Sequence, residues 1–169
     1  GCELGSALAC KNLGMYVEKG IATSGGVKER ALALYARACE QGDPASCHEL
    51  ARKYDFGTGG FAKDPLKAVK FYRAGCDRRY YQSCSELASV FRRGYIGVER
   101  NDREAFKLYG FACSGRLESA CDSMADMYVQ GHGVTPNPTE AARIRQLSCD
   151  RGNTMSCRSL AKMNADGVG

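Results

Sequence analysis

Ten cysteines fall into five pairs: Cys2/Cys10, Cys39/Cys47, Cys76/Cys84, Cys113/Cys121 and Cys149/Cys157. The two members of every pair stand eight residues apart. The first members of successive pairs are separated by 37, 37, 37 and 36 residues. A fixed period of this length marks a repeat architecture, in which one supersecondary unit recurs and buries its apolar face by stacking on its neighbours. The spacing within a pair adds a geometric condition. Eight residues rise about 12 Å along a helix and about 26 Å along a strand, whereas a disulfide tolerates roughly 7 Å between Cα atoms. If the two members of a pair are bonded to each other, the chain must reverse between them, once per repeat.

Aligning the repeats on their cysteines reveals two helices per unit. Eight residues before the first cysteine stand Ala31, Ala68, Ala105 and Ala141, and four before it stand Tyr35, Tyr72, Tyr109 and Arg145. These offsets are helical and define a helix A. After the second cysteine, the third residue is Leu13, Leu50, Leu87, Met124 or Leu160. The seventh is Val17, Tyr54, Phe91, Tyr128 or Asn164. This is helix B. The tenth is always glycine (Gly20, Gly57, Gly94, Gly131, Gly167), as expected of a residue that ends a helix in the left-handed conformation. Gly94 is therefore expected to tolerate valine less well than Gly97, which lies in a loop that differs between repeats.

The helix starts carry their own signals. Asp43-Pro44, Asp64-Pro65 and Asn137-Pro138 each place an N-cap side chain before proline at the first helical position. Asn101 and Asn137 are followed three residues later by Glu104 and Glu140, resembling a capping box. The pattern predicts helix A over 28–41, 65–77, 102–114 and 138–150. It predicts helix B over 4–19, 44–56, 81–93, 118–130 and 154–166. No segment alternates with period two for long enough to propose a sheet. The units run 28–64, 65–101, 102–137 and 138–169, after a partial unit 1–27. Both ends cut the cycle, so the chain reads as a mature or trimmed piece of a longer array, and no signal peptide is evident.

Charge and cysteine usage narrow the class of function. Lys plus Arg is 24 and Asp plus Glu is 19, a net charge of +5. This mildly favours an acidic partner without pointing to nucleic acid. Arg78-Arg79 and Arg92-Arg93 lie near helix ends with no interleaved aromatics, so they read as solvated charge. No apolar run approaches 18 residues, so no transmembrane helix is expected. Cysteines in even number and even spacing point to an oxidising compartment. There is no C-x-x-C cluster and there are only two histidines, His48 and His132, so no metal and no cofactor are expected. Gly1-Cys2 could open a lipoprotein, but Cys2 is in phase with the other first cysteines and reads as structural.

The Ala-x3-Tyr-x2-Ala pattern of helix A and the Leu-(Ala/Gly)-x2-(Tyr/Phe)-x2-Gly pattern of helix B resemble the Sel1-like repeat, as does a following Gly-Val such as Gly133-Val134. The cysteine pairs look like the cysteine-rich subgroup typified by the Helicobacter cysteine-rich proteins. The resemblance covers the whole chain. It implies an all-α fold, an α/α superhelical solenoid related to tetratricopeptide repeats. In it Cys2–Cys10, Cys39–Cys47, Cys76–Cys84, Cys113–Cys121 and Cys149–Cys157 each staple helix A to helix B. Arg145 in place of tyrosine and Asn164 in place of an aromatic imply a less fully packed last repeat.

The resemblance also implies two kinds of function. The first is a scaffold that binds protein or peptide on a concave helix A face, in the bacterial periplasm or secreted, with the mitochondrial intermembrane space as second choice. Residues nine, six and two before the first cysteine share one helical face and vary between repeats. Arg30, Arg37, Lys67, Lys70, Lys107 and Arg143, with Phe111 and Leu147 as apolar points, are the candidate binding residues, and an acidic-leaning peptide would suit them. The second is a weak penicillin-binding or β-lactamase activity. Serine β-lactamases need Ser-x-x-Lys with partner motifs. The sequence has Ser159-Leu160-Ala161-Lys162 without Lys-Thr-Gly or Ser-Asp-Asn, and Leu160 and Ala161 occupy expected core positions, so no catalytic residue is assigned. A catalytic disulfide is not expected of five equivalent, widely separated pairs.

Overall fold

The computed structural model describes residues 6–18, 27–58 and 61–167. Cys2 and Gly20 lie outside them, as do parts of the first helix A loop. The described chain is helical. It runs α1 (Ala7–Glu18), α2 (Val27–Glu40), α3 (Pro44–Phe56), α4 (Pro65–Asp77), α5 (Tyr81–Arg93), α6 (Asp102–Ser114), α7 (Glu118–Gln130), α8 (Pro138–Asp150) and α9 (Thr154–Ala165). Odd-numbered helices are the B helices of the sequence pattern, and even-numbered ones the A helices. Six of the nine have the expected bounds, and α2 and α9 differ by one residue. α1 begins at Ala7, where residue 4 was expected. Among the described residues there is no strand. No described helix is long and apolar enough to cross a membrane.

The chain divides into two compact units. One holds α1–α4, the first turn of α5 and residues 96–98. The other holds the rest of α5 and α6–α9. In the first, α2 turns into α3 through Gln41–Asp43, and Cys39 and Cys47 are bonded with 4.7 Å between Cα atoms. In the second, Cys113 bonds Cys121 across the α6–α7 turn and Cys149 bonds Cys157 across the α8–α9 turn. Cys10, Cys76 and Cys84 are likewise in disulfides, and no described cysteine is free.

The repeated positions of helix A make the core. Ala31, Ala68, Ala105 and Ala141 are buried, as are Tyr35, Tyr72 and Tyr109. Each such tyrosine contributes roughly 1.5–3 kcal/mol by apolar burial. Helix B adds Leu50 and Leu87. Its aromatic at the seventh position packs sideways: Tyr54 stacks on Phe71 at 5.9 Å, and Phe106 meets Tyr128 edge-on at 4.9 Å. The last unit departs as the substitutions imply. Asn164 is exposed, Ala161 is exposed and Leu160 is only half-buried. Their expected core role fails because no described helix covers that side of α9. Arg145 is nevertheless buried, its guanidinium against Asp126 and the Met163 sulfur.

The caps fall where the sequence places them. Asp43 accepts from the Ser46 N–H, Asp64 from Lys67, Asn101 from Glu104 and Asn137 from Glu140, at 2.8–3.0 Å. The capping-box expectation needs amending. The backbone N–H of Asn101 is donated to the Phe91 carbonyl at 2.8 Å, and that of Asn137 to Tyr128 at 2.9 Å; Asp64 likewise donates to Tyr54 at 2.8 Å. Gly57, Gly94, Gly131 and Gly167 all have φ between 66° and 70°, the left-handed end expected. Gly97 also has φ 84°, so its contrast with Gly94 is smaller than its variable loop implied. What separates the two is that a Cβ at Gly94 would crowd the Arg100 backbone at 3.3 Å, whereas one at Gly97 would meet only the Leu66 side chain at 3.6 Å.

His48, on α3, is buried beside Tyr72 and Tyr80, with Nδ1 3.2 Å from the Ser83 hydroxyl. Burial first, and the nearby charge of Arg52 second, push its pKa down to about 4. The imidazole is therefore neutral in the fold, while the unfolded chain takes up a proton near pH 6.5. A depressed histidine contributes stability that is full above about pH 6.5 and is lost as pH falls through 4, about 3 kcal/mol in all. Chemical denaturation at pH 7.5 and pH 4.5 should show the wild type losing more stability than His48→Gln, by about 2 kcal/mol or more. Parallel losses in the two proteins would refute the assignment.

Candidate functional site

All eight residues singled out on helix A are exposed: Arg30 and Arg37 on α2, Lys67 and Lys70 on α4, Lys107 and Phe111 on α6, and Arg143 and Leu147 on α8. The cause is the helical register. With the alanine at minus eight and the tyrosine at minus four buried, offsets of minus nine, minus six and minus two rotate onto the opposite side of each helix. Phe111 and Leu147 are each 42% exposed, so two large apolar side chains face solvent on neighbouring A helices of the second unit.

The charges on these faces are not equally available. Lys67 reaches the Asp64 carboxylate at 3.1 Å. Hydrogen bonds from Lys67 hold the Asp64 carboxyl below its ordinary range, and the Asp64 carboxylate raises the lysine. Arg143 grips Glu140 through two parallel hydrogen bonds, Nε to Oε2 at 2.9 Å and Nη2 to Oε1 at 2.6 Å. This fork lowers the Glu140 carboxyl and raises the guanidinium. Lys70 lies over the Phe71 ring at 5.7 Å. Lys107 has no hydrogen bond or ion pair among the described residues. Two of the candidate cations are thus partly neutralised by a carboxylate three residues earlier in the chain.

In the second unit Arg143 and Leu147 line a cleft of about 290 Å³. Met124, Ile144 and the Cys113–Cys121 bond form its apolar wall, and Arg116 and Arg151 join Arg143 at its rim. Sequence reasoning missed Arg116 and Arg151. A signal for Arg116 was present in the alignment. Three residues after the first cysteine stand Gly5, Gly42, Arg79, Arg116 and Gly152. Gly42 and Gly152 have φ 97° and 91°, and Arg79 and Arg116 hold the same left-handed region at 60° and 63°. A side chain there costs about 1–2 kcal/mol that glycine does not incur. Elsewhere, Arg78 reads as a cap, donating to the Ala74 carbonyl at 2.8 Å.

Ser159 and Lys162 share another cleft of the second unit with Arg145 and Asp166. No hydrogen bond joins Ser159 to Lys162 among the described residues.

The model of the Sel1 repeat matches residues 7–43, 44–80, 82–115 and 119–153. The chain belongs to the Sel1 repeat family. Sel1 repeats usually mediate protein interaction. The Sel1 units of the family model open at a B helix and close after the next A helix. In that phase Cys39–Cys47 and Cys113–Cys121 bridge consecutive Sel1 units. Among solved structures, one is a protective antigen of uropathogenic Escherichia coli with an SLR fold. It superposes with a TM-score of 0.88 at 29% identity, over 99% of this chain and 35% of that one. This chain thus spans about a third of that protein. A Sel1 repeat protein from Oxalobacter formigenes gives 0.87 at 24% identity, over 98% and 68%. Helicobacter pylori cysteine rich protein B gives 0.62 at 21% identity, over 82% and 100%. These likenesses establish the fold as the all-α, Sel1-type helical solenoid. A search of curated sequences finds no match.

Proposed function

We propose that this Sel1 chain is a scaffold in an oxidising, extracytoplasmic compartment that binds a protein or peptide through the outward side of its A helices. One observation carries the reading. The same three offsets are exposed in unit after unit, save half-buried Ala74, Glu104 and Glu140, yet their chemistry varies, from Ala33 to Lys70, Lys107 and Arg143 at the central offset. The buried offsets keep alanine throughout and tyrosine in every unit but the last, where Arg145 stands, and these do not. The disulfides support the compartment. An acidic-leaning ligand fits Lys70 and Lys107, which no carboxylate of their own helix neutralises.

The test is a double charge reversal, Lys70→Glu with Lys107→Glu. Peptides selected from a random display library on the wild type should bind the variant roughly 5- to 10-fold more weakly. The difference should shrink as salt rises, because exposed charges are screened within about 8 Å at physiological ionic strength. The melting temperature should move by no more than about 2 °C, since exposed pairs contribute little to stability. Undiminished binding in the variant would remove the charged stripe from the account.

A further inference from the structure

We infer that the cleft between α6 and α8 docks a carboxylate-bearing segment of a partner polypeptide, an Asp or Glu beside a large apolar side chain. Arg116 is its anion-binding and specificity-determining residue. The inference rests on the peptide-binding reading and narrows it to one place and one chemistry.

Three independent features meet there. The first is an apolar seat: Met124, Ile144 and Leu147 line the cleft. Gly110 opens it, since a Cβ at that position would approach only the flexible end of Met124, at 3.5 Å. The second is uncompensated charge. The cleft is lined by three arginines and one carboxylate, Glu140. Arg143 is committed to Glu140, and Arg151 lies 3.4 Å from Glu118. The Arg116 guanidinium makes no hydrogen bond or ion pair among the described residues. A planar guanidinium beside an apolar floor matches a carboxylate by its fork geometry, and the adjoining apolar contact excludes water from the pair. Glu140 at the same rim opposes a doubly charged phosphate more strongly than a single carboxylate.

The third feature is the backbone. Arg116 holds φ 63° at a position that Gly42 and Gly152 fill in other units. Side chains kept in that region against their steric preference concentrate at ligand sites. Arg79 shares the conformation at φ 60° but lines none of the clefts described above. It therefore supplies the control: strain alone does not make the site.

The experiment uses the oxidised full chain and a fluorescein-labelled, end-capped peptide of sequence Ser-Glu-Leu-Glu-Ser, read by anisotropy. Saturable binding is expected. Replacing both glutamates of the peptide by glutamine, or its leucine by glycine, should weaken binding at least tenfold. Arg116→Gly should weaken it at least tenfold while its melting temperature stays at or above the wild-type value. Arg79→Gly should behave like the wild type in binding. Equal affinity for the glutamine peptide, retained binding in Arg116→Gly, equal loss in Arg79→Gly, or no saturable binding would each overturn the inference. Panning a random display library on the wild type separates the two levels. Recovered peptides that bind Arg116→Gly as well as the wild type would remove the cleft and leave the scaffold standing. Recovery of no peptide at all would remove both.

Discussion

Reduction and alkylation of the folded chain should lower its melting temperature by about 15–30 °C. Closing a loop of nine residues removes chain entropy worth roughly 2.5 kcal/mol. Cys39–Cys47, Cys113–Cys121 and Cys149–Cys157 therefore sum to about 8 kcal/mol, against a usual domain stability of about 5–15 kcal/mol. At this chain length each kcal/mol moves the melting temperature by about 2–4 °C. The three do not add in full, because bonds in neighbouring hairpins restrict overlapping parts of the unfolded ensemble, whereas opening the bonds of Cys10, Cys76 and Cys84 adds to the loss. Thermal melts followed by far-UV circular dichroism, with and without reductant, make the comparison. A shift below about 5 °C would mean that helix packing alone holds the array. Peptide mapping without reductant should recover each of these three bonds within its own hairpin.

Gly133→Ala is the point substitution expected to do most damage. The residue has φ 71°. A Cβ built there would lie 2.3 Å from the Asp102 carbonyl carbon and oxygen and 2.6 Å from the Arg103 nitrogen. These are backbone atoms in the first turn of α6, so no side-chain rotation relieves the overlap, and the loop or the helix start must move. Steric strain of this kind, added to the left-handed conformation, should cost about 3–5 kcal/mol. Gly152→Ala is the control. It has φ 91° and nothing within 4 Å of the added carbon, so it should cost only about 1–2 kcal/mol. Equal melting temperatures for the two variants would show that the loop carrying Gly133 does not rest on α6 as described.

The helices were legible because several local signals agreed at each boundary. At α4, Asp64 caps, Pro65 opens the first turn and the alanine and tyrosine at fixed offsets set the buried side. The sequence reading placed that helix at 65–77, and the structure has it at Pro65–Asp77. In the last unit Ala161 has the offset of a core position yet is exposed, because an offset fixes a side of the helix and not what packs against it. The outward faces of the A helices were legible too, since the 3.6-residue period fixes both sides of a helix at once. The cleft was not. Arg116 comes from a turn, Met124 from α7 and Leu147 from α8, and no period connects them. The arginines at a glycine position gave a local hint, but reading it as strain required the φ angles.

The backbone bonds from Asp64 to Tyr54, Asn101 to Phe91 and Asn137 to Tyr128 have a bearing on how such an array can lengthen. The first two span ten residues of chain and the third spans nine. The same clasp closes over loops of unequal length, and the 36-residue interval between Cys113 and Cys149 is absorbed inside the shorter one. α4, α6 and α8 are thereby moored to the body of the B helix before each, and not to a residue count. The clasp therefore accepts one residue more or less between the terminating glycine and its donor, and a one-residue difference in repeat length leaves the start of the next A helix in place.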